Sequence, residues 1–144
     1  ESVMLGYLPE AANGEAFADG WYRTGDIGTI DADGWVRITD RVKEMIKVKG
    51  FQVAPAEVEA VLLGHPAVAD CAVFGVPDAV SGEAVAAAVV VSPGADATAD
   101  ELQALVAESL SPYKRITHLE LVDAVPRLPS GKVLRRELQA AHGS

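Results

Sequence analysis

The fold is decided by residues 39–59, TDRVKEMIKVKGFQVAPAEVE. Within this stretch two short strand-like runs, 45–49 and 51–53, lie on either side of a glycine and predict a pair of strands. Pro55 then stands where the first residue of a helix tolerates a missing N–H, so we predict a helix over Pro55–Leu63. This change from strand to helix within one short stretch indicates an α+β unit.

The residues after this stretch predict a small sheet flanked by helices. Thr98 with Glu101 three residues later matches a capping box, and apolar residues then recur at helical spacing up to Leu110. The other predicted elements are two Val- and Ala-rich antiparallel strands, a further strand and a short last helix, over residues 67–76, 83–92, 118–122 and 133–141.

Residues 1–40 are expected to be the end of something larger, because the first half of this segment shows no element with an obvious partner. Apolar runs at 27–30 and 35–39 flank the sequence DADG, residues 31–34, and an Asp-Gly step in that place predicts a β-hairpin. The predicted fold class is therefore α+β, with a β-hairpin followed by a small domain whose short central sheet is flanked by helices.

Composition excludes several classes of function. The net charge of −9, from 12 basic and 21 acidic residues, makes unspecific binding to nucleic acid or to an anionic membrane unfavourable. The longest strictly apolar run, residues 84–91, is too short for a membrane span, and no secretory signal pattern is present. A single cysteine, Cys71, excludes an internal disulfide, and the histidines lack ligand spacing, so we predict no metal site and a cytoplasmic protein.

The basic residues are unevenly distributed along this acidic chain, since residues 53–113 contain no Lys or Arg. Ten of the twelve cations lie in two segments, at Arg41, Lys43, Lys47, Lys49, Lys114, Arg115, Arg127, Lys132, Arg135 and Arg136. Such clusters are typical either of sites for a small anion such as phosphate or of solvated surface faces, and clustering alone leaves both interpretations open.

Three segments in this order, GWYRTGD at 20–26, the stretch at 39–59, and PRLPSGKVLRREL at 126–138, together resemble the last part of the adenylate-forming enzymes. This superfamily includes acyl- and aryl-CoA synthetases, adenylation domains of peptide synthetases and firefly-type luciferases. The resemblance covers nearly the whole chain. It implies that residues 1–40 are the tail of a large N-terminal AMP-binding domain, and that residues 41–144 are the mobile C-terminal domain.

The resemblance also implies an activity. Enzymes of this family join a carboxylic acid to ATP, which gives an acyl-adenylate and pyrophosphate, and then transfer the acyl group to a thiol. The expected partners are the chain's own N-terminal domain, ATP with Mg²⁺, a carboxylic acid and CoA. Residues 46–59, IKVKGFQVAPAEVE, favour a fatty-acid or aryl-acid CoA ligase. One alternative is a peptide-synthetase domain that transfers to a carrier protein, and another is a lid or interaction module without turnover when isolated.

For nucleotide chemistry the resemblance implies three residues. Asp26 is the expected ligand of the ribose hydroxyls, since one carboxylate accepts hydrogen bonds from two neighbouring hydroxyls. Arg41 matches the arginine at the domain junction that contacts the nucleotide. Lys132 matches the catalytic lysine of adenylation, whose ammonium stabilises the negative charge that develops as the carboxylate attacks the α-phosphate.

For the rotation and the thiol step the resemblance implies five further residues. Lys43 occupies the hinge position, where a small change of backbone dihedrals rotates the small domain. Lys49, Gly50 and Phe51 are the expected CoA-binding residues, with Gly50 lining the pantetheine tunnel, although a glycine required only by a tight turn is an open alternative. Lys47 resembles the lysine that luciferases use in their second half-reaction, so it is the second expected catalytic residue beside Lys132.

Overall fold

The computed structural model describes residues 4–142. In it the chain forms two compact units. The first unit ends at Lys43 and the second begins at Glu44. This division lies close to the boundary expected after residue 40. Each unit has its own secondary structure.

Over residues 4–43, the first unit contains a 3₁₀ turn at Glu10–Ala12, one short α-helix and two small antiparallel sheets. Its elements are α1 (Asn13–Ala16), β1 (Phe17–Ala18), β2 (Trp21–Tyr22), β3 (Asp26–Ile30) and β4 (Val36–Arg41). Strand β1 pairs with β2, and β3 pairs with β4. The predicted hairpin is therefore confirmed, and Asp31 Oδ1 closes its turn by accepting the N–H groups of Asp33 at 3.0 Å and Trp35 at 2.9 Å.

The second unit is a five-stranded sheet with three helices, which confirms the predicted α+β class. Its elements are β5 (Ile46–Val48), β6 (Phe51–Val53), α2 (Pro55–Leu63), β7 (Val68–Asp78), β8 (Gly82–Val91), α3 (Ala99–Ser109), β9 (Ile116–Leu121) and α4 (Arg135–His142). The strand order is β6-β5-β8-β7, and β9 also pairs with β8. Among the strand pairs of this unit within residues 44–142, only that of β8 with β9 is parallel.

Several predicted bounds differ from the structure by one or two residues; strand β7, for example, ends at Asp78 instead of residue 76. Strand β9 begins at Ile116, two residues before the predicted start at 118. Helix α4 begins at Arg135 instead of residue 133, because Val133 forms a β-bridge with Arg127 and the N–H of Leu134 is bonded to the carbonyl of Pro126 at 2.9 Å. The predicted capping box is partly present, since Thr98 Oγ1 accepts the N–H of Glu101 at 3.2 Å.

The core lies on both faces of the paired strands β7 and β8. On one face, Val73 and Ala87 are buried together with Leu62 of α2 and Leu102 of α3. On the other face, buried side chains of the same two strands pack with Leu138 of α4, and they are Ala72, Phe74, Val76, Ala84, Ala86 and Ala88. A pair of strands buried on both faces explains why residues 67–76 and 83–92 are apolar runs and do not alternate with polar residues.

Side chains form hydrogen bonds with backbone groups along the edge of β7 that faces away from β8. Glu59 Oε1 accepts the N–H of Val73 at 2.9 Å, and Arg135 Nε donates to the carbonyl of the same residue at 3.0 Å. Gln139 Nε2 donates to the carbonyl of Gly75 at 3.0 Å. Helices α2 and α4 thus satisfy polar groups that another strand would otherwise bind.

Cys71 lies on β7 and is buried, with 3% of its surface exposed. This burial, together with the carboxylates of Glu59 and Asp70, raises the pKa of the thiol to about 12. The thiol is therefore protonated at neutral pH and packs as a small apolar side chain. Among the helices of residues 4–142, none is long and apolar enough to cross a membrane.

The packing of α2 gives a direct test of the core. Leu62 is fully buried, whereas its neighbour Leu63 is 52% exposed. We expect Leu62→Ala to lower the free energy of unfolding by about 2–5 kcal/mol, because the shortened side chain leaves a cavity. Leu63→Ala serves as the matched control and should change it by less than about 0.5 kcal/mol. Urea denaturation followed by circular dichroism measures both values, and equal losses would contradict the described orientation of α2.

Candidate functional site

In the first unit, Asp26 and Arg41 are brought together by the register of β3 and β4, in which they are direct partners. Arg41 Nε lies 2.5 Å from Asp26 Oδ1. Arg41 Nη1 also donates to the carbonyl of Thr24 at 3.4 Å, and Thr24 Oγ1 accepts the N–H of Asp26 at 3.1 Å. Thr24 and Asp26 of the TGD sequence therefore form a small polar cluster with Arg41, in which these contacts orient the side chains.

This cluster has the chemistry of a site for a hydroxylated, anionic ligand. Asp26 is only 21% exposed, but Arg41 contacts one of its two carboxylate oxygens, so the other retains its capacity to accept hydrogen bonds. The Arg41 side chain is 60% exposed and carries further guanidinium N–H donors. A carboxylate acceptor beside a fork of donors suits vicinal hydroxyls and phosphate oxygens.

Lys43 lies in a single turn of 3₁₀ helix, Val42–Glu44, at the point where the first unit ends. The next residue, Glu44, is held to the second unit by Arg135, whose Nη1 donates to the Glu44 carboxylate. The Nη2 atom of the same guanidinium donates to Glu59 Oε1 at 2.8 Å. Lys43 is therefore the last residue before the chain becomes fixed to the second unit.

The candidate thiol-side residues share one hairpin. Lys49 and Gly50 connect β5 and β6 in a two-residue turn with φ of 50° and 84°, and Val48 pairs with Phe51 across it. Two positive φ values are typical of a type I′ turn, which matches the twist of the flanking strands. Lys47 and Lys49 are exposed on this hairpin.

The hairpin is fixed by backbone and aromatic contacts to the rest of the second unit. The N–H of Lys49 donates to the carbonyl of Ser81 at 2.8 Å. The N–H of Lys47 donates to Glu83 Oε2 at 2.6 Å. The ring of Phe51 is stacked on Tyr113 with a centroid distance of 4.6 Å and an interplanar angle of 17°. The turn therefore presents two ammonium groups from a fixed backbone.

Lys132 lies on a loop between β9 and α4. The N–H of Gly131 donates to the carbonyl of Leu128 at 2.8 Å, and the N–H of Leu128 donates to the carbonyl of Lys132 at 2.9 Å. Gly131 has φ of 85°, as expected for the left-handed position after a turn in a three-residue hairpin loop. Pro129 and Gly131 thus give the loop a defined shape, and Lys132 is exposed beside its tip.

Several residues that shape these segments were missed by sequence reasoning. Arg127 and Arg135 appeared there only as members of the cation clusters, for which an anion site and a solvated face were both left open. In the structure they pair with carboxylates of the same unit, Arg127 with Asp70 and Arg135 with Glu44 and Glu59. Lys114 is also paired, since its Nζ lies 2.6 Å from Glu57 Oε1. These partners are distant in sequence, so no local pattern indicated them.

Within the second unit, the Lys132 loop and the Lys49–Gly50 turn lie toward opposite ends of β8. The loop is attached to Asp70, which pairs with Val90, whereas β5 pairs with Gly82. Gly82 and Val90 are eight residues apart on one strand, a separation of about 26 Å at the usual rise per residue. The two candidate segments are therefore brought into one unit but not into one site.

Comparison with known proteins places the chain in a family. Residues 57–132 match the model of the AMP-binding enzyme C-terminal domain, and the chain belongs to this family. The resemblance to adenylate-forming enzymes predicted from the sequence is thereby confirmed.

Relatives and solved structures agree with this assignment. The chain is 55% identical over 141 residues to 4-coumarate–CoA ligase-like 9 of Oryza sativa subsp. japonica, covering 96% of the chain and 25% of the relative. The amide bond synthetase McbA from Marinactinospora thermotolerans is 40% identical with a TM-score of 0.88, over 98% of the chain and 29% of that protein. ATP-bound MatB from Rhodopseudomonas palustris is 34% identical with a TM-score of 0.89, over 96% and 28%. The chain thus spans less than a third of each.

Gly50 offers a test of why glycine stands in the turn. A Cβ at this position would meet no atom within 4 Å in the structure, so the requirement for glycine in this unit comes from its positive φ. We expect Gly50→Ala to lower the free energy of unfolding by about 1–2 kcal/mol, because alanine is strained in the left-handed region. Gly50→Asn should lose less, since asparagine tolerates that region. Chemical denaturation measures both, and an unchanged stability of Gly50→Ala would contradict the turn geometry.

Proposed function

We propose that the chain is the C-terminal part of an ATP-dependent ligase that activates a carboxylic acid as an acyl-adenylate and transfers the acyl group to the thiol of CoA. The observation that supports this proposal is the arrangement of the two candidate segments toward opposite ends of one compact unit. The residues of β8 that mark these ends, Gly82 and Val90, are eight positions apart, or about 26 Å along the strand. One unit with two such ends suits an enzyme with two successive half-reactions.

In the first half-reaction, a carboxylate oxygen of the acid attacks the α-phosphorus of ATP and pyrophosphate leaves. Negative charge develops on the oxygens around phosphorus, and the ammonium of Lys132 stabilises that charge more strongly than it stabilises the ground state. The loop geometry supports this role, because Lys132 is exposed on a segment with a defined backbone.

Asp26 and Arg41 are assigned to the nucleotide. The carboxylate of Asp26 accepts hydrogen bonds from the ribose hydroxyls, while the Arg41 guanidinium both orients Asp26 and donates to nucleotide oxygens. Mg²⁺ enters with ATP as part of the substrate. The remaining contacts to ATP and the pocket for the acid belong to the large N-terminal domain, of which residues 1–40 form the tail.

In the second half-reaction, the sulfur of the thiol attacks the acyl carbon and AMP leaves. Rotation about Lys43 replaces the Lys132 end of the unit with the end that carries Lys47, Lys49, Gly50 and Phe51. The ammonium groups of Lys47 and Lys49 suit the phosphates of CoA, and an open turn at Gly50 leaves room for the pantetheine arm. The anchoring of Glu44 by Arg135 supports a rotation axis at Lys43.

For the acid, the relative named 4-coumarate–CoA ligase-like supports an aryl acid, with a fatty acid as the alternative. CoA is the preferred acceptor for the same reason. We also propose a cytoplasmic location. A structure that is 40% identical is named an amide bond synthetase, so an amine acceptor is a second candidate. Assays of the full-length enzyme with CoA, a carrier protein and an amine would distinguish the acceptors.

The role of Lys132 can be tested in the full-length enzyme. We expect Lys132→Ala to slow acyl-adenylate formation by about 10²–10³-fold, because it removes a charge that acts mainly in the transition state. Thioester formation from a supplied acyl-adenylate should remain largely intact. ATP–pyrophosphate exchange and thioester formation measure the two steps separately.

Arg136→Ala is the matched control, since it removes an exposed positive charge four residues further along the chain. It should leave both half-reactions nearly unchanged. An equal loss of both half-reactions in Lys132→Ala would show that the two ends of the unit are not used separately.

The hinge can be tested by fixing a dihedral angle. Lys43→Pro locks φ near −65° and should trap one orientation of the unit, so we expect the thiol step to be impaired more than adenylation. Lys43→Ala is the control and should retain both steps, because the hinge depends on the backbone and not on the ammonium. A second half-reaction of normal rate in Lys43→Pro would remove the hinge assignment.

A further inference from the structure

We propose that Asp70 is a positioning residue for acyl-adenylate formation, which acts through Arg127 on the backbone of Gly131 and so fixes the loop that carries Lys132. The inference deepens the proposed function and rests on the role of Lys132 assigned there. Neither Asp70 nor Arg127 is placed against a substrate. They act by fixing the backbone from which the Lys132 side chain extends.

The contacts form a continuous chain from the sheet to the loop. Arg127 binds Asp70 with two nitrogens, Nη2 to Oδ1 at 2.7 Å and Nε to Oδ2 at 3.2 Å. Its third nitrogen, Nη1, donates to the carbonyl of Gly131 at 2.8 Å. Every nitrogen of the guanidinium is thus used, and the planar fork holds the carboxylate and the carbonyl in one fixed relation.

The carbonyl of Gly131 belongs to the peptide bond that leads into Lys132. Because a peptide group is planar, fixing this oxygen also fixes the direction of the Lys132 N–H and restrains the position of its Cα. Fixing one peptide plane in this way orients the base of a long side chain without touching the side chain itself.

The backbone bonds near Lys132 do not supply this attachment; the bond from Val122 to Val89 of β8 holds only the start of the loop. The bonds from Gly131 to Leu128, from Leu128 to Lys132 and from Leu134 to Pro126 all join residues of the loop to one another. They define its shape but not its place on the unit. The base of the loop packs through Val125 and Val133, and the pairing of Arg127 with Asp70 links the loop to a residue 57 positions away.

Asp70 is a suitable anchor because the residues that follow it in β7 are packed in the core. The next residues of β7, Cys71 and Ala72, are buried. Asp70 Oδ1 also accepts the N–H of Cys71 at 2.9 Å, which restrains the carboxylate against its own strand. The pair itself is partly exposed, with 37% of the Arg127 side chain and 36% of the Asp70 side chain accessible. An ion pair that exposed contributes little to global stability, so its removal should affect the loop more than the fold.

The test uses the full-length ligase that contains this chain. We expect Asp70→Asn to lower kcat for adenylation by about 10- to 100-fold, since a displacement of about 1 Å at a reacting group costs rate on this scale. The KM for ATP and the rate of thioester formation from a supplied acyl-adenylate should change less than about twofold. Arg127→Lys should reproduce this pattern, because an ammonium keeps the charge but cannot bridge Asp70 and Gly131.

A charge exchange separates positioning from simple ion pairing. The double substitution Asp70→Arg with Arg127→Asp restores an ion pair between the two positions, but a carboxylate at position 127 cannot donate to the Gly131 carbonyl. We therefore expect adenylation to stay slow in the double variant, and full recovery would overturn the proposal. Glu120→Gln is the control, since it removes a carboxylate that pairs with His142 and does not contact the loop.

The failures of the two proposals are distinguishable. If Lys132→Ala leaves adenylation unchanged, the proposed function fails. If Lys132→Ala abolishes adenylation while both Asp70→Asn and Arg127→Lys stay within twofold of the parent enzyme, only the positioning role fails. Equal slowing of both half-reactions, or a lowered melting temperature that accounts for the lost activity in both single variants, would assign the pair a structural role and overturn the inference.

Discussion

The burial of β7 and β8 on both faces is the constraint on which the second unit depends. A strand buried on one face resists a slip of one residue, because the slip turns its apolar side chains outward. Here such a slip would exchange the side chains that meet α2 and α3, such as Val73, for those that meet α4, such as Phe74. The register is therefore fixed from two sides. It places Asp70, which pairs with Arg127 of the Lys132 loop, far along the sheet from Gly82, which pairs with β5 beside the Lys49–Gly50 turn. The two candidate segments therefore lie toward opposite ends of the unit.

Local chemistry made much of the fold predictable. An Asp-Gly turn, a proline at a helix start and a capping threonine each act within a few residues, and the hairpin of β3 and β4, α2 and α3 were found from them. The ion pairs were not predictable, because Arg127 meets Asp70 and Arg135 meets Glu44 across the tertiary structure. A charge pattern specifies which side chains are available but not which distant partner each one finds. The candidate roles of Asp26 and Lys132 came from the resemblance to adenylate-forming enzymes. The residues around Asp26 or Lys132 do not by themselves define a site without the parent domain.

The turn at Lys49 shows a conflict between stability and the proposed role. A lysine with φ of 50° occupies a position at which asparagine or glycine is preferred in turns of this type. Strain of this kind persists where the surrounding structure holds it, and here the N–H of Lys49 is bonded to Ser81 and the strands pair on both sides. The presence of a long cationic side chain at such a position accords with the role in thiol transfer that is proposed for this end of the unit.

The occupied edge of β7 has a consequence for the behaviour of the protein in solution. A strand edge with free N–H and C=O groups is a template for the strands of other molecules, and it promotes aggregation or the exchange of strands between copies. Glu59, Arg135 and Gln139 bind groups of Val73 and Gly75 at this edge, so an incoming strand would have to displace them. During the rotation proposed above, the second unit can thus expose this side to other proteins without pairing with their strands, and Arg135 combines that protection with its ion pair to Glu44, the residue that follows Lys43.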